Sequence, residues 1–170
     1  MNLSRYLIRR VHRIDDNARR LQRERTFTVY LTNPSVRAAL FGSISAEDEA
    51  MGDLAETAIW SQHLHSSELS GGLHYARWKE GRTDFEVDIV ALDPGTQKPN
   101  LAVEVKWSDR IDDHPEELGG LLALAKKHTF AKIPIVTTRT VSKLGAIRGI
   151  KVELIPTALY CYSISQEAIL

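Results

Sequence analysis

The chain has a single cysteine, Cys161, in 170 residues. That excludes an internal disulfide framework and suits a reducing compartment such as the cytoplasm. No apolar run approaches the ~20 residues that cross a bilayer, and the first residues lack the continuous apolar segment of a signal peptide. No membrane association is therefore expected. Net charge is absent too, with 22 basic and 22 acidic residues, so the chain as a whole is no electrostatic sink for nucleic acid. No phosphate-loop G-x-x-x-x-G-K-[ST] occurs, nor a G-x-S-x-G elbow, nor H-E-x-x-H. These absences remove the P-loop ATPases, the elbow-type serine hydrolases and the zincins. Six histidines are scattered; His63 and His65, two apart on an expected helix, point to different sides and make no zinc pair. Trp60, Trp78 and Trp107 fall at core-like positions rather than in a base-stacking stripe. Internal repeats and low-complexity tracts are lacking as well.

What is present is an ordinary globular composition, 43% hydrophobic and 26% charged, in a chain long enough for one domain with a real core. Its charge is unevenly placed. Residues 1–25 carry eight arginines against three acids, a balance of +5, and the remainder carries −5. Leu7, Val11, Ile14, Ala18 and Leu21 are spaced as a heptad seam, which predicts a basic N-terminal helix over 1–25, ahead of a domain over 26–170. So short a helix must pack on something: its own domain, a second copy, or another protein. An acidic body with one basic arm would hold any polyanion weakly and in a salt-sensitive way.

Two stretches carry the chemistry. Phe85, Val87, Ile89 and Ala91 alternate with Glu86, Asp88, Val90 and Leu92. Leu101, Val103, Val105 and Trp107 alternate with Ala102, Glu104 and Lys106. Period two is the period of a strand. The intervening segment, with Pro94, Gly95 and Pro99, is a turn. An antiparallel hairpin pairing Leu92 with Asn100 sets Asp88 opposite Glu104. Opposed carboxylates repel and raise each other's pKa, so the site calls for a proton or a cation. Magnesium suits a few carboxylates, carbonyls and waters. Lys106, one side-chain repeat beyond Glu104, is placed to reach a phosphate or an attacking water.

Asp88 followed by Glu104-Val105-Lys106 resembles the D…(D/E)-x-K signature of the PD-(D/E)XK nuclease superfamily. The wider run, from Val29-Tyr30-Leu31-Thr32-Asn33-Pro34 through Gly52-x-Leu54-x-Glu56 and Tyr75-x-Arg77-Trp78 to the two strands, resembles a narrower group. That group is the nuclease-like domain of uncharacterised function found C-terminal to the ATPase module of many prokaryotic AAA+-type proteins. The resemblance covers residues 29–156. It implies a restriction-endonuclease-like α/β core, a mixed central sheet with an antiparallel three-strand meander flanked by helices. It implies Mg2+ or Mn2+ held by Asp88, Glu104 and the Val105 carbonyl, Glu56 as a further metal or water ligand, and Lys106 as the residue that positions or activates water. The implied function is metal-dependent DNA hydrolysis. The alternative is a catalytically silent interaction or regulatory domain for an AAA+-type ATPase partner, docking or self-associating through its N-terminal helix.

The remaining elements follow from local signals. Residues 26–31 read as a short strand, and Asn33-Pro34 as a helix start, with Gly42 as its stop. A second helix is expected from Ser45 to about His65, with Met51, Leu54, Ala55, Ala58 and Ile59 as its apolar stripe; Glu56, at the stripe's edge, is a ligand or a surface glutamate. Residues 66–72 read as a loop and 73–78 as a strand. On that strand Arg77 is placed to pair with a carboxylate or to meet a phosphate. Pro115-Glu116-Glu117 opens a helix whose Gly119 and Gly120 imply close packing or flexibility. Lys126, Lys127 and His128 at its end suit the helix dipole or a nucleic-acid backbone. Strands are expected over 133–138 and 152–155, a short helix or turn over 142–148, and a closing segment over 157–162.

Overall fold

The structure is a computed structural model that describes residues 7–19, 27–65 and 72–167. The strands are β1 (Ile8–Ile14), β2 (Phe27–Leu31), β3 (Leu73–Glu80), β4 (Thr83–Leu92), β5 (Pro99–Glu104), β6 (Ile135–Thr138), β7 (Lys143–Ile147) and β8 (Ile150–Pro156). The helices are α1 (Pro34–Phe41), α2 (Met51–His65), α3 (Gly119–Lys127) and α4 (Thr157–Glu167), with a 3-10 turn, Pro115–Leu118, before α3. One mixed eight-stranded sheet runs in the order β2-β1-β3-β4-β5-β6-β8-β7. The expected meander is its centre: β3, β4 and β5 are antiparallel neighbours. Parallel pairs flank it, β1 with β3 on one side and β5 with β6 and β6 with β8 on the other. The architecture is α/β.

Apolar side chains bury both faces of this sheet. Val87, Val90, Ala102 and Val136 pack with Leu118, Leu121 and Leu124 around α3. Ile89, Ala91, Leu101 and Val103 pack on the other face with Ile59 and Trp60 of α2 and Tyr160 and Ile164 of α4. A sheet covered on both faces needs near-continuous apolar strands, and β4 and β5 supply them at residues 89–92 and 101–103.

The N-terminal helix expected over 1–25 is overturned where it is described. Ile8–Ile14 is a strand, hydrogen-bonded between β2 and β3. Val11 packs on the α2 side and Ile14 on the α3 side. A spacing of three puts two residues on one stripe of a helix but on opposite faces of a strand. Here both faces are apolar, so the same residues satisfy a strand. Leu21 and the loop residues 66–71 lie outside the described residues.

Other local readings fare unevenly. Asn33 caps α1 as expected, its Oδ1 accepting the Ser35 N–H at 2.8 Å with Pro34 at the first position. Helix α2 starts at Met51 rather than Ser45, behind turns in which Asp48 Oδ1 accepts the Ala50 N–H. Its buried residues are Ala55, Ile59, Trp60, Ser61 and His63, a stripe rotated from the one expected. Residues 143–147 form an edge strand paired with β8, not a helix or turn. The closing segment is the helix α4. Gly120 proves to be a close-packing glycine: a Cβ there would lie 1.9 Å from the Glu86 carbonyl oxygen. It lets α3 approach β4 at the strand that carries Asp88.

Candidate active site

The hairpin register is the expected one over most of its length, with Ile89 paired to Val103, Val90 to Ala102 and Ala91 to Leu101. Leu92 meets Pro99 instead of Asn100, because the ladder slips after Ala91. On its other side β4 has a bulge. Three steps of β4, Val87 to Val90, face two steps of β3, Ala76 to His74. The extra residue reverses the alternation. Phe85 and Val87 turn to the α3 face, whereas Ile89 and Ala91 turn to the α2 face. The single shared face expected for these four is thus corrected. Asp88 sits at the reversal, where a bulge re-aims a side chain.

Continued by one step, the register brings Asp88 beside Glu104. The ladder is interrupted there: Asp88 Oδ2 accepts the Val105 N–H at 2.7 Å. The Asp88 carboxylate thereby terminates β5 and turns the chain toward Lys106. The Lys106 N–H donates to Thr137 Oγ1 at 3.1 Å, and Thr137 is fully buried on β6. Side chains of β4 and β6 therefore fix the two backbone amides that follow Glu104. The Lys106 ammonium reaches back to Glu104 Oε1 at 3.1 Å. Glu104 is buried, and its other oxygen, Oε2, has no hydrogen-bond partner among the described residues. Glu56 comes from α2, where Oε1 accepts the Tyr30 hydroxyl. Tyr30 in turn stacks on Trp60 with ring centroids 4.9 Å apart. Asp88, Glu104 and Lys106 are thus brought together. Glu56 feels the Asp88 charge but is tied to Tyr30.

The electrostatics follow from burial. Desolvation, then the Glu104 charge, pushes the Asp88 carboxyl up to about 8, against the Val105 N–H and Lys106. Glu104 rises to about 7, again by burial, with Lys106 opposing. Glu56 rises to about 7, through burial and then the Asp88 charge, although the Tyr30 hydroxyl holds it down in part. Burial pulls the Lys106 ammonium down, but Glu104, with Asp88 and Glu117 behind it, outweighs that and leaves Lys106 above its ordinary value. Burial and the Glu56 charge beside it drive the Tyr30 hydroxyl up, so it stays a donor. Near neutral pH the cluster therefore holds protons that isolated carboxylates would have released.

No family profile, curated protein or solved structure matches this chain. The chemistry must therefore be argued from these side chains alone. Asp88, Glu104 and the Val105 main chain offer only hard oxygen donors, the set a magnesium-like ion accepts. The unpartnered Glu104 Oε2 is a buried acceptor in need of a proton or cation. Against that, no group of three or more His, Cys, Asp or Glu side chains is gathered to hold an ion among the described residues. The donors fit a two-carboxylate site completed by water, and do not fit a cage of protein ligands.

Three residues escape sequence reasoning. Tyr30 and Thr137 orient Glu56 and Lys106, yet a tyrosine in a short strand and one threonine of a pair carry no signal of it. Glu86 adds its charge to Asp88, Glu104 and Glu56. Its own partner is Arg77, 3.6 Å away, with both side chains about half exposed. That is the ion-pair reading of Arg77.

Proposed function

We propose that the protein is a metal-dependent nuclease of the PD-(D/E)XK type, hydrolysing phosphodiester bonds in DNA. The observation that carries this reading is the buried Glu104 carboxylate, with one oxygen on Lys106, the other unpartnered, and the Asp88 carboxylate alongside. Leaving two buried acids so poorly matched costs stability unless a ligand offsets it. Asp88 and Glu104, with the Val105 carbonyl, would hold Mg2+ or Mn2+, and Glu56 would take an outer position through water. A bound divalent cation supplies a water of lowered pKa and neutralises charge at the leaving oxygen. Lys106 then holds the attacking water or a non-bridging phosphate oxygen with its ammonium, once that group shifts from Glu104 Oε1. Burial excludes bulk water and strengthens each of these interactions.

A second reading is a catalytically silent interaction or regulatory domain that serves an ATPase partner. The Glu104–Lys106 and Tyr30–Glu56 pairs favour it, since they partly satisfy the acids within the chain. One assay separates the two. Supercoiled plasmid incubated with Mg2+ or Mn2+ is expected to be nicked by the wild type and left intact by Lys106→Ala. Absence of nicking by the wild type, with no rise in melting temperature on adding either ion, favours the silent domain.

A further inference from the structure

A cleft of about 490 Å³ lies between α3, the β3–β4 turn region and the β7–β8 turn. Phe85 and Gly119 form part of its lining, and Lys126, Lys127 and Arg148 stand around it with Glu80 as the one acidic lining residue. Charge of one sign is unusual for this molecule, whose residues 26–170 carry a balance of −5. Lys127 is ion-paired with Asp16. Lys126 and Arg148 are exposed, and no carboxylate lies within ion-pairing distance of either among the described residues; Glu116 feels Arg148 only from farther off.

Arg148 brings an independent observation. It is the first residue of the two-residue turn joining Ile147 to Ile150, and its φ is +48°, followed by Gly149 at +82°. Both central positions of such a turn need positive φ, which glycine and asparagine adopt with least strain. Arginine there is a poor choice for the turn. A strained residue at the rim of a cleft is a pointer to a role beyond folding.

The cleft also connects to the candidate catalytic residues. Phe85 is three residues from Asp88 along β4, roughly 10 Å. Gly120, next to Gly119, packs on the Glu86 backbone between them. Glu117, at the start of the same helical segment, adds to the field at Lys106. About 10 Å is roughly three nucleotide steps of B-form DNA at about 3.4 Å each.

From this juxtaposition of Lys126 and the strained Arg148 around a cleft whose Phe85 lies on the strand that carries Asp88, we propose that the cleft binds the phosphate backbone of the nucleic acid leading to or from the scissile bond. The inference rests on the nuclease reading. It names the contact that an otherwise acidic body uses to hold a polyanion: two cations without an ion-pair partner among the described residues, and space left by the missing side chain of Gly119.

Binding is measured by fluorescence anisotropy, across a KCl series and with EDTA present, using a labelled DNA duplex and its single strand. Lys126→Gln and Arg148→Gly are each expected to weaken binding. Each should lower the slope of log affinity against log salt by about 0.9 on the duplex or 0.7 on the single strand. Lys98→Gln and Lys132→Gln, exposed cations at the β4–β5 end of the sheet, control for bulk charge and should change the slope far less. Arg148→Gly should also melt higher than the wild type, because it relieves the turn. Equal slopes for cleft and control variants overturn the proposal, and so does failure of the wild type to bind either probe. Plasmid nicking with unchanged slopes sinks the cleft alone; a slope change without nicking sinks the nuclease reading and reduces the cleft to a backbone contact with no scissile bond.

Discussion

At the level of single residues, the candidate site spends stability. Asp88, Glu104 and Glu56 titrate near 4 when unfolded, but hold their protons to about 8, 7 and 7 in the folded chain. Between those limits the folded state binds more protons than the unfolded one, so stability is full at low pH and is lost as pH rises. His63 opposes this. Burial, with a smaller push from Lys132, lowers it to about 4, and its Nδ1 lacks a partner among the described residues. It therefore favours folding as pH rises from 4 to 6.5, by one proton against three. The expected net result is a stability that falls by several kcal/mol, on the order of 5, from pH 5 to pH 8, read as a declining melting temperature. An Asp88→Asn variant keeps an acceptor for the Val105 N–H and removes the charge. It should be more stable than the wild type at pH 8 by about 1–3 kcal/mol, and nearly equal to it at pH 5. The same variant should lose any thermal shift on adding Mn2+. A variant less stable at pH 8 would mean that Asp88 is ionised and well compensated without an ion.

At the level of elements, the closeness of α3 to β4 is what fixes the site's geometry. Gly120→Ala places a methyl group 1.9 Å from the Glu86 carbonyl oxygen, and backbone cannot yield as a side-chain tip can. Denaturant unfolding should show a loss of at least about 1–3 kcal/mol, the cost of overpacking. Gly119→Ala meets only the Phe85 ring, at 3.4 Å. There the gain in helix propensity, up to about 1 kcal/mol, offsets a mild contact, and stability should stay near the wild type. Both glycines read alike in the sequence, since only the partner strand tells them apart. The same holds for the bulge. The Asn33-Pro34 start of α1 is local chemistry and is legible. The reversal at Asp88 depends on how β4 registers with β3, and alternation within one strand cannot reveal it. Helix α4 was hidden for a different reason: it buries Tyr160 and Ile164 yet exposes Leu159 and Tyr162, so its apolar residues trace no clean stripe.

For the molecule as a whole, the central hairpin and the mixed sheet were legible, and so was the meeting of Asp88 with Glu104 and Lys106. The role of the N-terminal segment was not. Its heptad spacing suggested a basic helix ahead of the domain, but β1 is an interior strand with β2 on one side and β3 on the other. A shortened chain beginning at Thr26 loses β1, uncovers the edge of β3 and strips the contacts of Val11 and Ile14. It should fail to give a cooperative thermal transition or dispersed amide resonances. A mere arm could be removed with the melting temperature unchanged.

That interior placement of β1 sets the order of events on the ribosome. His12 pairs with His74, roughly 60 residues downstream, so at about 5–20 residues per second β1 waits several seconds for its partner to be translated. In that interval it can zip only with β2, leaving one flank of the nascent hairpin open to neighbouring chains. Rare codons between the two strands would lengthen this exposure, and chaperones acting during elongation would matter more for this protein's yield than for one whose first strand lies at a sheet margin.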